Sequence, residues 1–151
     1  EPKTDKYEAS FEGGWAEADK QWKVSDIVSD IEGSDYSILT LSPTEGIDAW
    51  HLPTLNSERK EMCEIPSSIE ESATYSISLD GAKSLTPNKE FSIENKAGKV
   101  NISIANEEGK VVVKRTISLP KSIYTAEEYA DLHALLLAWQ SKANREILIA
   151  K

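Results

Sequence analysis

Between Thr74 and Leu119 the chain alternates apolar and polar residues in short runs, and turn residues cut those runs about every ten positions. The cuts fall at Asp80-Gly81, Pro87-Asn88, Ala97-Gly98 and Gly109. In an extended backbone successive side chains point to opposite faces, so Tyr75, Ile77 and Leu79 share one face. Val100, Ile102 and Ile104 do the same on a later run, and Val111, Val113, Ile117 and Leu119 stay in phase on the next. The loop Asn106 to Gly109 reads as a hairpin whose glycine takes a left-handed conformation. Such a segment hides its apolar face by folding into an antiparallel meander, with that face turned to a core.

One residue breaks the phase. Arg115 falls where an inward apolar side chain is expected. Either its long stem covers apolar surface while the charge reaches water, as on an edge strand, or the charge is buried beside a carboxylate.

The clearest helix follows the meander. Thr125 is placed to cap it and Glu128 to close a capping box, and Tyr129, Leu132, Leu136, Trp139 and Ala143 recur at steps of three and four. The spacing predicts a helix over residues 125–143 packed on the sheet. Ile147, Leu148 and Ile149 then form a last strand against a sheet edge. On the helix's other side Ala126, Ala130, Ala134 and Leu137 stack with few charges between them. Alanine is the best helix former, which explains the pattern by itself; the alternative is a neighbouring domain covering this face.

Before the meander, Tyr36 to Ser42 forms a β-rich run stopped by Pro43, and Glu61 to Ile65 a shorter one closed by Pro66. The first 35 residues read as a separate segment: Tyr7, Ala9 and Phe11 alternate like a strand, and Val24, Ile27, Val28 and Ile31 repeat like a helix. The expectation is a mostly β, antiparallel, sandwich-like domain over 36–151 with one C-terminal amphipathic helix. A chain of 151 residues can bury roughly 70% of its unfolded surface, enough for a core without disulfides or metal.

Charge narrows the partners. The net charge of -9 is spread along the chain and basic residues never gather beyond pairs, so phosphate backbones and anionic lipid are repelled. No apolar run approaches the ~20 residues that span a bilayer, so no membrane insertion is expected. The single Cys63 leaves the redox compartment open.

Few residues promise chemistry. A nucleophilic cysteine needs a histidine base and, commonly, a helix N-terminus, but Cys63 sits on an expected strand with Pro66 close behind. A small cysteine hydrolase built on Cys63 is therefore the least favoured reading, and a buried structural thiol the expected one. His51 and His133 lack the spacing of a zinc site, and Gly13-Gly14 lacks the lysine of a phosphate loop. Adjacent carboxylates such as Glu127-Glu128 are what a helix start attracts. No catalytic, cofactor or metal-binding residue is expected. Trp139 is expected in the core, and burial is favoured for Trp15, Trp22 and Trp50, tryptophan being highly buried on average. Trp50 with His51, on an expected loop, is the best candidate surface for a glycan or peptide.

Several segments in order resemble a known family: Arg59 leading to Ile65-Pro66, Thr74 to Leu79, Phe91 to Asn95 followed by Gly98, Val111 to Leu119, and Ile123 to Trp139. Together they resemble the C-terminal domain of unknown function that follows the transglutaminase-like core in bacterial proteins labelled as candidate cysteine proteases. Asp80 departs from the pattern, which has a proline before the turn glycine. The resemblance covers about residues 36 to 150. It implies a β-sandwich-like accessory module after an upstream catalytic core, whose cysteine, histidine and aspartate have no counterparts here. It also implies export to the periplasm or cell surface, a cytoplasmic location being the alternative. The expected role is to buttress or orient that core through Ala126, Ala130, Ala134 and Leu137. The rival is a stand-alone carbohydrate- or peptide-binding module.

Overall fold

A computed structural model describes residues 4–22, 27–50 and 58–151. The alternating runs become strands β6 (Ile69–Ser78), β8 (Lys89–Asn95), β9 (Gly98–Glu107) and β10 (Lys110–Leu119), which form a four-stranded antiparallel sheet in the order β6-β10-β9-β8. The expected meander holds from β8 to β10, while β6 adds on the far side of β10. Gly109, with φ of 72°, makes the left-handed turn of the β9–β10 hairpin. Gly98 is more constrained: its φ is 152°, and a Cβ there would stand 2.1 Å from the Ser118 carbonyl oxygen on the neighbouring strand.

A second sheet takes β3 (Val28–Asp30), β4 (Tyr36–Thr40), β12 (Glu146–Ala150) and β7 (Lys83–Ser84), in the order β3-β4-β12-β7. The helical reading of Val24, Ile27, Val28 and Ile31 is thus overturned at Val28, which is in a strand opposite Leu39. Val24 lies outside the described residues. The boundary expected between residues 35 and 36 falls between two paired strands of this sheet. The last strand, expected to pair with a sheet edge, pairs with β4 on one side and β7 on the other. Short β5 (Cys63–Glu64) and β11 (Ile123–Tyr124) pair with each other. Strands β1 (Thr4–Glu12) and β2 (Trp15–Trp22) form a separate hairpin turning at Gly13 and Gly14, both at positive φ, as a tight hairpin turn requires.

The helix α1 spans Tyr129–Gln140, shorter than the 125–143 expected. The capping box forms: the Glu128 N–H donates to Thr125 Oγ1 at 3.2 Å and the Thr125 N–H donates to Glu128 Oε2 at 3.1 Å. Residues 126–128 are nevertheless a turn, and regular helix starts one residue later. At the other end Ser141, with ψ of 131°, breaks the helix, so Ala143 is exposed in a short 3-10 turn, Lys142–Asn144, rather than in the apolar stripe. Tyr129, Leu132, Leu135, Leu136 and Trp139 are buried on the sheet side.

One face of the large sheet is covered twice. Toward the β9–β10 turn end, Ile77, Ile104, Val111 and Val113 pack on Leu39, Ile147 and Ile149 of the second sheet, a sandwich-like arrangement. Toward the other end, Val100, Ile102, Ile117 and Leu119 pack on α1, Tyr124, Cys63 and Ile65. Arg115 sits in the inward row between Val113 and Ile117, on a central strand and fully buried. The edge-strand reading does not hold: the charge is buried, with an aromatic ring and a carbonyl as its direct partners and Asp48 as the nearby carboxylate. Its guanidinium lies 3.9 Å from the centre of the Trp139 ring, and Nη2 donates to the Trp139 carbonyl oxygen. Burial pulls its pKa below the ordinary arginine value, with Tyr75 and Asp48 opposing that pull, and at neutral pH it remains a cation.

Because the Arg115 stem fills space at a seam, Arg115→Ala should cost about 3 kcal/mol in urea unfolding, while Arg115→Met, which keeps the volume and removes the charge, should stay within about 1 kcal/mol of the native chain. Equal losses in the two variants would mean that the charge, not the volume, holds the seam. Gly98→Ala should destabilise more than an alanine at Gly81, since the clash at Gly98 is with backbone on a paired strand and the space around Gly81 is open.

Candidate functional site

Loop residues 41–50 are held by a part-buried set of polar and charged side chains. The Ile47 N–H donates to Glu71 Oε2 at 2.7 Å, and the Tyr75 hydroxyl donates to the Ser42 carbonyl at 2.7 Å. Asp48, in a 3-10 turn over Ile47–Trp50, accepts the Trp139 indole N–H at 3.0 Å and both the N–H and the hydroxyl of Thr44. Trp139 therefore meets Asp48 at its edge and Arg115 on its face, and the loop, the helix and β10 converge on one side chain. Burial is also the main cause that raises the Tyr75 pKa, so its hydroxyl stays protonated as a donor. Glu71, Asp48 and Arg115 each make at least one bond that joins structure, while Glu71 Oε1 and Arg115 Nε and Nη1 are buried without a hydrogen-bond partner.

Cys63 is buried, and the Arg59 guanidinium approaches its sulfur at 3.5 Å. Its strand partner is Tyr124, whose hydroxyl donates to the Ala97 carbonyl at 3.2 Å. His133, half-buried on α1, stacks on Tyr129 with ring centres 5.9 Å apart. Among the described residues no hydrogen bond joins Cys63 to an imidazole. Trp50 packs partly buried on the helix-side core, so its ring is half committed to structure. His51 lies outside the described residues. Trp139 is in the core as expected, whereas Trp15 is 61% exposed near the hairpin turn.

The expected docking stripe is divided. Ala130, Ala134 and Leu137 share one side of α1, with Ala130 exposed and Leu137 55% exposed. Ala126 precedes the helix, half-buried in the capping turn. The stripe is narrow, a single large side chain among alanines. Between the hairpin and β6 lies a cleft of about 1310 Å³ whose walls include Glu17, Asp19, Glu45, Glu70 and Glu71. Lys20 of β2 reaches Glu45 across it. Such walls disfavour anionic ligands. Among the described residues no cluster of His, Cys, Asp and Glu could hold a metal ion, and no described helix is long and apolar enough to cross a membrane.

Two expected outcomes follow from these surroundings. Cys63 in the folded chain should react slowly with iodoacetamide at neutral pH and completely after denaturation; fast labelling of the folded chain would revive the hydrolase reading. Lys121 first, then the Thr125 N–H, holds the Glu128 carboxyl below the usual carboxylate range. That contribution is fully present above the ordinary range and is lost as pH falls through the lowered value. An NMR titration should show Glu128 releasing its proton at lower pH than other exposed glutamates, and Lys121→Ala should raise its midpoint.

Residues 36–149 match DUF3858, described as a domain of unknown function with a solved structure. Among solved structures, the chain is similar to one titled "putative protease" from Parabacteroides distasonis ATCC 8503, with a TM-score of 0.70 and 35% identity. The likeness covers 77% of this chain and 23% of that one. No curated protein matches the sequence.

Proposed function

The chain belongs to the DUF3858 family, and from that premise we propose that it serves as a non-catalytic accessory domain of a larger, peptidase-like polypeptide. The observation that carries this reading is the proportion of the match. A protein titled as a protease shares this fold at 35% identity, yet the shared part occupies only 23% of its length. That proportion leaves most of the longer chain to carry the chemistry. Cys63 is closed into the core, and the charged groups around Trp139 bond to the module's own backbone and side chains. Both features suit a support better than a reaction centre.

The finer reading is that the partner is an upstream transglutaminase-like core, which the module buttresses or orients, and that the whole protein works in the periplasm or at the cell surface. It rests on the ordered sequence segments from Arg59 to Trp139. The core would then supply the cysteine, histidine and aspartate of the reaction, and this chain none.

The mass of the native gene product tests the proposal. An antibody raised to this domain should detect, in extracts of the source cells, a species far heavier than the 16.7 kDa chain. A species of that mass alone, with no heavier precursor, would sink the accessory reading.

A further inference from the structure

The cleft between the hairpin and the large sheet is bounded by two strand edges. Its walls take in every residue from Ser68 to Ser78 on one side and from Gly14 to Gln21 on the other. Successive residues of a strand point to opposite faces, so a cleft against one face would be lined by alternate residues. An unbroken run on each side places it along the edges instead. Strand β6 ends the order of the large sheet, and among the described residues β2 pairs only with β1.

Both edges turn backbone toward the cleft. In an antiparallel pair, residues that exchange hydrogen bonds with the partner alternate with residues whose N–H and C=O point the other way. The Leu79 N–H donates to the Gly109 carbonyl at 3.0 Å and Ile77 stands opposite Val111, so the odd-numbered residues of β6 bond to β10. Glu70, Ser72, Thr74 and Ser76 therefore direct theirs to the open side. On β2 the Gly13-Gly14 turn makes Glu12 and Trp15 a bonded pair, which sends the backbone of Ala16 and Ala18 away from β1. A ten-residue edge of this kind is a template for another strand, and a two-stranded hairpin is at best marginally stable in water. From Ser10 to Asp19 every residue of the hairpin is exposed, so it has little core of its own. The volume of about 1310 Å³ exceeds the roughly 300–1,000 Å³ of a small-molecule pocket, as a length of chain requires.

Charge selects the side chains of the occupant. Glu17, Asp19, Glu45, Glu70, Glu71 and Asp80 line the cleft, against Lys20, which pairs with Glu45. Where loop 41–50 closes one wall, Ser42 is only 7% exposed and its hydroxyl is unpartnered, and Glu71 Oε1 is likewise buried without a partner. Both are acceptors, and a lysine ammonium carries three donors on a flexible stem. A second copy of this chain would bring a net charge of -9 to the same walls, and like charge works against it.

We propose that this cleft binds a lysine-rich peptide segment in extended form, added as a strand between β6 and β2, with one lysine reaching Glu71 and Ser42. Main-chain hydrogen bonds to the two edges supply the affinity and the carboxylates the preference for basic side chains. Such a site goes beyond the accessory-domain reading and is independent of it.

The probe is a fluorescent peptide of alternating lysine and threonine, as long as the eight residues of β2. Titrated into the 151-residue chain, it should raise anisotropy to saturation. Amide exchange followed by NMR should slow several-fold at Ser72, Thr74, Ser76, Ala16 and Ala18, while Ala73 and Tyr75, already bonded to β10, change little. The same peptide N-methylated at alternate residues keeps its charge but loses the donors of one edge, and should bind about tenfold more weakly. Glu70→Lys, at an exposed position, should weaken the unmethylated peptide several-fold without changing the far-UV circular dichroism. Equal binding of the methylated peptide would mean surface charge alone, and protection of only one edge would remove the strand slot; either overturns the proposal, as does no binding. Slowing of the same amides when the chain alone is concentrated would give the place to a second copy and overturn it as well.

Discussion

Arg115, whose stem fills the inward row and whose guanidinium lies against the ring and carbonyl of Trp139, is the residue at which the two halves of the core meet. Val113 on one side of Arg115 belongs to the cluster under the second sheet, and Ile117 on the other to the cluster under α1. An apolar residue at that position would make the two clusters continuous but would leave the Trp139 carbonyl near the helix end without this donor. A buried cation costs several kcal/mol to desolvate, so it persists only where surrounding groups offset that cost. Here the aromatic face, a carbonyl, and the nearby Asp48 and Tyr75 do so. Trp139, Asp48 and Tyr75 belong to different parts of the chain, and through them the loop 41–50, β6, β10 and α1 meet around one cation.

Much of this was legible in the sequence, and what was not has physical reasons. Period-two alternation over 74–119 is a local property, and it yields the strands, the hairpin at Gly109 and the inward set from Tyr75 to Leu119. The capping box at Thr125 and Glu128 is equally local. The stretch 27–31 was misread because a few apolar residues in so short a window fit either period, and pairing with β4 decides between them. The partner of Arg115 was hidden because it is an aromatic face 24 residues further along the chain, and burial of a cation on such a face leaves no charge pattern to read. Helix length was overestimated because Ala143 continued the spacing past Ser141, where the backbone turns away.

The candidate surfaces divide in the same way. Alternation in Ala130, Ala134 and Leu137 drew attention to the helix, although alanines at helical spacing need no partner. The outer face of the second sheet has a different signal. Ile147, Leu148 and Ile149 form an unbroken apolar run, and a strand without alternation is one with both faces apolar. Its counterpart on β4 turns Tyr36 and Ile38 outward, with Leu39 and the polar Ser37 inward. Only the register, which sets Leu148 opposite Ile38, shows that the two runs make one surface.

That surface is mechanically continuous with the interior. Strand β12 follows α1 through a junction fixed from several directions: the Asn144 amide donates to the Ala138 carbonyl at 2.7 Å, and Lys89 reaches Asn144 from the large sheet. The Leu41 N–H donates to the Arg145 carbonyl at 2.8 Å, while Arg145 points its guanidinium back to the Leu41 carbonyl. A load applied to the outside of β12 and β4 therefore passes into α1 and, through Trp139, into β10 by direct hydrogen bonds and packing rather than through a loose linker.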